Sequence, residues 1–167
     1  PARLALEKVA EMSDFTAPRA PGKGRGIAHM LSFSSWVAMV VEVDATDDIR
    51  IEKVWIAADP GTVLDPRNFR DQLVSGAIFG FGQALGQQIN FADGRVVQEN
   101  FYDYPMPTMG QIPKFEIEIL QNAEYIGGVG EIGTPPAAPA LAGAIFDATG
   151  QRLRRMPFSR DVAFRQV

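Results

Sequence analysis

The sequence predicts an α+β fold, with antiparallel hairpins and a mixed sheet packed against two main helices. Three observations carry that reading. Runs rich in β-branched and aromatic residues alternate with period two. Two longer stretches carry helix punctuation, a Pro start at one and a Gly stop at each. The strands come in a cluster before the first main helix rather than alternating regularly with helices. At 167 residues the chain can bury a core of its own.

Ala2–Met12, ARLALEKVAEM, sets Leu6, Val9 and Ala10 on one side of a short amphipathic helix. Thr16–Gly26, TAPRAPGKGRG, has no periodicity and reads as a Pro/Gly/basic linker, so residues 1–26 form a helix plus linker and residues 27–167 the main body. Ile27–Val43 reads as one strand with Val37, Met39, Val41 and Val43 on a common face. Asp44–Asp48 is a turn. Ile49–Asp59 is a second strand in which Ile49, Ile51 and Trp55 point one way and Arg50, Glu52 and Val54 the other, so that Ile27–Ala58 makes a long antiparallel hairpin.

Asp65-Pro66 places an N-cap before a proline at the first helical position, and the helix runs to about Gly86. Glycines at 76, 80, 82 and 86 cost such a helix roughly 1 kcal/mol each relative to alanine. Another backbone or a ligand therefore comes close, tight helix–sheet packing being the plainer alternative. Asp93-Gly94 supplies a hairpin turn, Asn100–Pro113 a long aromatic loop, and Phe115–Leu120 an alternating strand. The last helix, Pro136–Thr149, carries a stripe of Ala138, Leu141, Ala142, Ile145, Phe146 and Thr149 and stops at Gly150.

Composition excludes several classes of function. With no cysteine, the chain itself holds no disulfide, thiolate zinc or iron–sulfur cluster. Its single histidine, His29, rules against a His-based metal site or a Ser–His–Asp triad and is read as structural or superficial; no metal ligand is assigned. A net charge of −4 offers nothing to nucleic acid. The longest apolar run, Leu73–Leu85, is shorter than the roughly 20 residues of a spanning helix. The chain opens Pro-Ala-Arg without a signal peptide, so a processed or excised piece is expected; the compartment, cytoplasmic or periplasmic, stays open.

Gly128, Gly130 and Gly133 form a G-x-G-x-x-G, but the match lacks the setting of a dinucleotide loop. The nearest strand ends several residues earlier, no acid-ended strand follows the helix, and Pro135, Pro136 and Pro139 remove amides that would meet a pyrophosphate. A doubly wound dehydrogenase is thus disfavoured. What remains is Glu131 on a glycine-rich loop before an apolar helix, which spacing alone reads equally as a solvent-facing loop residue or as an acid aimed at a ligand.

GGVGEIGTPPAAPALAGAIFDATGQRLRRMPF is joined by three ordered blocks, RGIAHMLSFSSWVAMVVEV, DQLVSGAIFGFGQAL and INFADGRVVQENFYDYPMP. Together they resemble the C-terminal part of the large molybdopterin-binding subunit of the molybdenum hydroxylases, the xanthine dehydrogenase/aldehyde oxidoreductase family, most closely its isoquinoline 1-oxidoreductase β-subunit type. The resemblance covers nearly the whole chain.

It implies that Glu131 stands beside molybdenum as general base, with Gly128, Val129 and Gly130 forming the loop against the cofactor. It also implies that Gln72 hydrogen-bonds the pterin, a neutral amide suiting that edge, although Gln72 also reads as an ordinary helix residue. A base works best with a pKa near the operating pH, and burial raises a carboxylate towards it. Val129, Ile132 and the proline-rich turn are expected to form a dry pocket of that kind.

The implied activity is hydroxylation of an N-heteroaromatic compound or aldehyde with water-derived oxygen. The cofactor would be the cytosine dinucleotide form of molybdopterin, with [2Fe-2S] clusters on a small partner subunit. Ile132 stands where the family usually has proline, and Leu73-Val74-Ser75-Gly76 follows Gln72 where Q-x-E-G-G is usual. The family's Gly-Gln-Gly and Pro-x-Arg-Ala-Phe-Gly loops are absent. The chain is therefore expected to need the rest of the subunit, to hold no cofactor alone and to self-associate through uncovered apolar surface. A non-catalytic subunit or interaction module that keeps the fold without cofactor is the alternative.

Overall fold

A computed structural model describes residues 2–165; residues 1, 166 and 167, at the ends of the 1–167 span, lie outside it. Four strands form one sheet in the order β1-β2-β3-β4: β1 Lys23–Ser32, β2 Ser35–Asp44, β3 Arg50–Asp59 and β4 Lys114–Ile119. The first three run antiparallel as a meander, and β4 lies parallel to β3. The sheet is mixed, the fold α+β, and no doubly wound sheet is present among the described residues.

Three helices cover it. α1 (Ala2–Met12) lies on one face, where Ala5 and Val9 join Ala38, Val40, Trp55 and Ala57. α2 (Pro66–Leu85) and α3 (Ala137–Thr149) lie on the other. There Val37, Met39, Val41, Val43, Val54 and Ile56 meet Phe69, Leu73, Ala77 and Phe81 of α2 and Leu141, Ala144 and Ile145 of α3. The middles of β2 and β3 are thus buried on both faces, which explains their unbroken apolar runs, Trp36–Val41 and Val54–Ala58.

Helix limits follow the punctuation. Asp65 accepts hydrogen bonds from the amides of Arg67 (3.1 Å) and Asn68 (3.0 Å), with Pro66 next to it at the helix start. Gly86 ends α2, and Gly150, in the left-handed region with φ 76°, ends α3. The turn at Asp93-Gly94 has both φ angles positive, as a two-residue hairpin requires, and joins only Phe91–Ala92 to Arg95–Val96.

Four expectations change. Residues 27–43 are not one strand: Phe33 and Ser34, with φ of 50° and 63°, turn the chain between β1 and β2, so the hairpin becomes a three-stranded meander. The linker ends at Pro21-Gly22, because Gly24 and Gly26 belong to β1. In β3 the pairing Glu42↔Lys53 is followed by Val43↔Ile51, leaving Glu52 as an extra residue. This bulge puts Ile51 and Val54 on one face and Trp55 on the other, against the simple alternation.

The stripe of α3 is displaced as well. Ala137, Ala140, Leu141, Ala144 and Ile145 are buried while Phe146 and Thr149 are exposed. The reason is a backbone contact. A Cβ on Gly26 would fall onto the carbonyl oxygen of Ala140, and one on Gly24 onto that of Ala144. α3 lies directly on β1, so its small residues face the sheet and its largest, Phe146, is left outside with Arg152 above its ring (3.8 Å).

At the far end of the hairpin, Lys23 hydrogen-bonds Asp44 (2.8 Å) and Glu52. With Thr46 also donating to it, Asp44 titrates well below the usual carboxylate range.

Gly26→Val should force α3 off β1. We expect a loss of about 1–3 kcal/mol, the usual cost of overpacking, read as a lower denaturation midpoint with an unchanged urea m-value. Phe146→Ala should change the midpoint little.

Candidate active site

The Glu131 loop lies between the β1–β2 turn and α2, and each side holds it through backbone. On the first side the Gly127 amide donates to Pro60 O (2.8 Å) and the Gly128 amide to Phe33 O (2.8 Å), while the buried Ser35 hydroxyl donates to Gly128 O (2.7 Å). A Cβ on Gly127 would strike the Ser35 hydroxyl, and one on Gly128 would lie 2.7 Å from Phe33 Cβ. On the second side a Cβ on Gly133 would sit 2.5 Å from Leu73 O, and Thr134 Oγ1 donates to Gly76 O (2.9 Å). The Thr134 amide closes the loop onto Glu131 O (3.0 Å).

Two of the α2 glycines, Gly76 and Gly80, thereby find their explanation, whereas a Cβ on Gly82 would meet the Gln87 side chain and one on Gly86 Pro105. A Cβ on Gly76 would lie 3.2 Å from the Gly133 backbone, and one on Gly80 2.5 Å from Thr134 O and 2.6 Å from Ala137 Cβ. The close neighbour is the Glu131 loop and the start of α3. It is neither a ligand nor the sheet.

A second anchor lies upstream. The wholly buried Asp59 accepts from the Asn122 amide (3.2 Å), Asn122 Nδ2 (3.0 Å) and the Gly61 amide (3.2 Å). Next to it Gly61 bridges to Ile126. Together with the Leu120 amide on Ala58 O and the Thr62 amide on Tyr125 O, these contacts tie segment 120–127 to the end of β3.

The structure brings the expected residues into one region. Gln72 immediately precedes Leu73 and Glu131 stands two residues before Gly133, so both flank the Leu73–Gly133 contact. The Gln72 side chain is half-buried and has no hydrogen-bond partner among the described residues. Gly128, Gly130 and Glu131 lie at the surface, and the Glu131 carboxylate has no ion-pair partner among the described residues. Gly130 does not have a positive φ, and no atom comes within 4 Å of where a Cβ on it would lie.

Among the described residues Glu131 is exposed and the expected dry pocket does not form around it. Ile132 is wholly buried in the core with α2 and α3, Val129 packs partly on that core, and Pro136 is buried, while Pro135 stays exposed. These residues anchor the loop instead of walling in its carboxylate. Phe33, Ser35, Asp59 and Thr134 escaped the sequence reading. Ser32, Ser34 and Ser35 inside a supposed 17-residue strand were the available signal, since strands average five or six residues and serines favour turns.

A family model described as Molybdopterin cofactor-binding domain matches residues 5–113. The chain is 34% identical over 158 residues to the isoquinoline 1-oxidoreductase subunit beta of Brevundimonas diminuta, covering 91% of this chain and 20% of that protein. An alignment of that extent spans the positions of both Gln72 and Glu131. It is 30% identical over 139 residues to the aldehyde oxidoreductase molybdenum-binding subunit PaoC of Escherichia coli (strain K12), covering 77% of this chain and 19% of the other.

Among solved structures, quinoline 2-oxidoreductase from Pseudomonas putida 86 superposes with a TM-score of 0.64 at 26% identity, over 74% of this chain and 17% of that one. The fold is thus that of a molybdopterin-binding domain of the molybdenum hydroxylases. The chain belongs to the molybdopterin cofactor-binding domain family, and it spans about a fifth of the length of the relatives it matches.

Ser35→Ala should loosen the loop without unfolding the sheet. Losing one hydrogen bond of about 1 kcal/mol should speed hydrogen exchange at the Gly127 and Gly128 amides about fivefold, with the β2 and β3 amides unchanged.

Proposed function

We propose that this chain forms part of the catalytic subunit of a molybdenum-cofactor oxidoreductase that hydroxylates an N-heteroaromatic compound or aldehyde, with Glu131 as general base. The observation that carries the reading is the exposed, unpaired Glu131 carboxylate on a loop clamped by backbone on both sides.

The residues fit one side of the cofactor. Gln72 offers an unpartnered amide, donor and acceptor in one group, for the pterin edge. Gly130 is a glycine for which nothing in the described fold gives a reason, and its bare backbone leaves room for a ligand to approach. Bound there, the molybdenum centre supplies two-electron oxidation with water-derived oxygen.

The protein's part is the proton. Glu131 accepts it at its carboxylate, and the clamped loop keeps that carboxylate in place between turnovers. The walls that exclude water come from the rest of the subunit, because Val129 and Ile132 are spent on anchoring. Phe91, Phe101, Tyr102 and Met109, all highly exposed on the loop after α2, offer that remaining part an apolar surface.

With no cysteine, this chain itself ligates no iron–sulfur cluster; we propose that [2Fe-2S] clusters sit on a small partner subunit and that the cofactor is the cytosine dinucleotide form. No helix among the described residues is long and apolar enough to cross a membrane.

In the complete enzyme Glu131→Gln should lower turnover roughly 10²–10⁴-fold, the usual cost of losing a general base, with molybdenum content near wild type. Gln72→Ala should lower molybdenum occupancy while sparing turnover per filled site. Full turnover per molybdenum in Glu131→Gln removes the assignment. Elemental analysis of the chain purified alone should find no molybdenum, since one glutamine and one loop do not enclose a pterin dinucleotide.

A further inference from the structure

We propose that Phe33 is the surface on which a planar aromatic substrate rests beside the Glu131 loop. The inference rests on the function proposed above and narrows its substrate class to ring compounds.

The first observation is conformational. Phe33 has φ 50° and Ser34 φ 63°, the pattern of a two-residue turn that Asn-Gly makes at little cost. For a bulky residue the left-handed region costs on the order of 1–2 kcal/mol, and such strain clusters at sites where geometry serves function. The turn itself has no use for the ring, since Asn or Gly would form it more readily.

The second is burial. Phe33 is 64% exposed and belongs to neither core cluster, so its ring repays none of that cost by packing in the core.

The third is place. Phe33 O receives the Gly128 amide (2.8 Å), and its Cβ and Cγ lie 2.7 and 3.4 Å from where a Gly128 Cβ would be. Only Val129, half-buried towards the core, and Gly130, without a side chain, separate Gly128 from Glu131. Leu31, two residues before Phe33, and Ile126, two before Gly128, are exposed as well. A ring face at that position attracts a planar, electron-poor ring by offset stacking, an interaction worth roughly 0.5–1.5 kcal/mol beyond area burial. An aliphatic aldehyde gains little from it.

The test uses the complete, molybdenum-loaded enzyme with isoquinoline and butyraldehyde as probes. Phe33→Asn removes the ring but tolerates the positive φ, and Phe33→Tyr keeps the ring. For Phe33→Asn we expect KM for isoquinoline to rise roughly three- to tenfold, several times more than KM for butyraldehyde, with kcat on each changed by a similar, smaller factor. Phe33→Tyr should restore isoquinoline KM. Equilibrium dialysis of isoquinoline should show the same weakening without turnover.

Equal losses on both probes, or a fall in molybdenum content or subunit assembly in Phe33→Asn, would show that the ring instead packs against the rest of the subunit, overturning the proposal. So would a wild-type enzyme that oxidises butyraldehyde but neither oxidises nor binds isoquinoline. A loaded wild-type enzyme inactive on heteroaromatics and aldehydes alike would remove the underlying function, and this inference with it.

Discussion

Backbone lying on backbone is the constraint from which the rest of this structure follows. α3 rests on β1 at Gly24 and Gly26, and the Glu131 loop rests on α2 at Gly76 and Gly80, with Gly133 meeting them from the loop side. A Cβ on Gly24, Gly26, Gly80 or Gly133 would fall onto a carbonyl oxygen and force the layers apart, while at Gly76, with its nearest atom at 3.2 Å, a smaller shift would do. Contacts of this kind leave little freedom to slide, because the fit is between carbonyls, amides and α-carbons with no flexible groups between them. Precision at Glu131 therefore comes from small residues, and the large ones fill the core behind them.

That arrangement also divides labour within a short stretch of chain. Between Gly127 and Pro136, Val129, Ile132 and Pro136 turn towards the interior, while Gly128, Gly130 and Glu131 stay at the surface. Apolar residues beside a glutamate invite the reading of a desolvating pocket. Here they are the roots of the loop.

Much of this was legible in the sequence because it is written locally. Asp65-Pro66, Gly86 and Gly150 are helix punctuation, and α2 begins and ends and α3 ends where it says. Gln72 and Glu131 stood out through blocks of resemblance longer than any one motif. What stayed hidden is non-local. Gly24 and Gly26 look like linker until α3 is laid across them, and Phe33-Ser34 carries none of the usual turn pairs. The bulge at Glu52 needs a register that only the partner strand defines. The buried Asp59 is one acid among many until Asn122 and Gly61 close around it.

The parallel pairing of β3 with β4 sets the order of assembly. α2 lies within the crossover between these strands, and the Glu131 loop follows β4. Gln72 and Glu131 are 59 positions apart in the sequence and acquire a common neighbourhood only after β4 has docked and α3 has settled on β1. Long-range closure of this kind comes late and slowly in folding. If Gln72 and Glu131 hold the cofactor as proposed above, it would meet a scaffold already built, as a passenger admitted after construction and not as the nucleus around which the chain collapses.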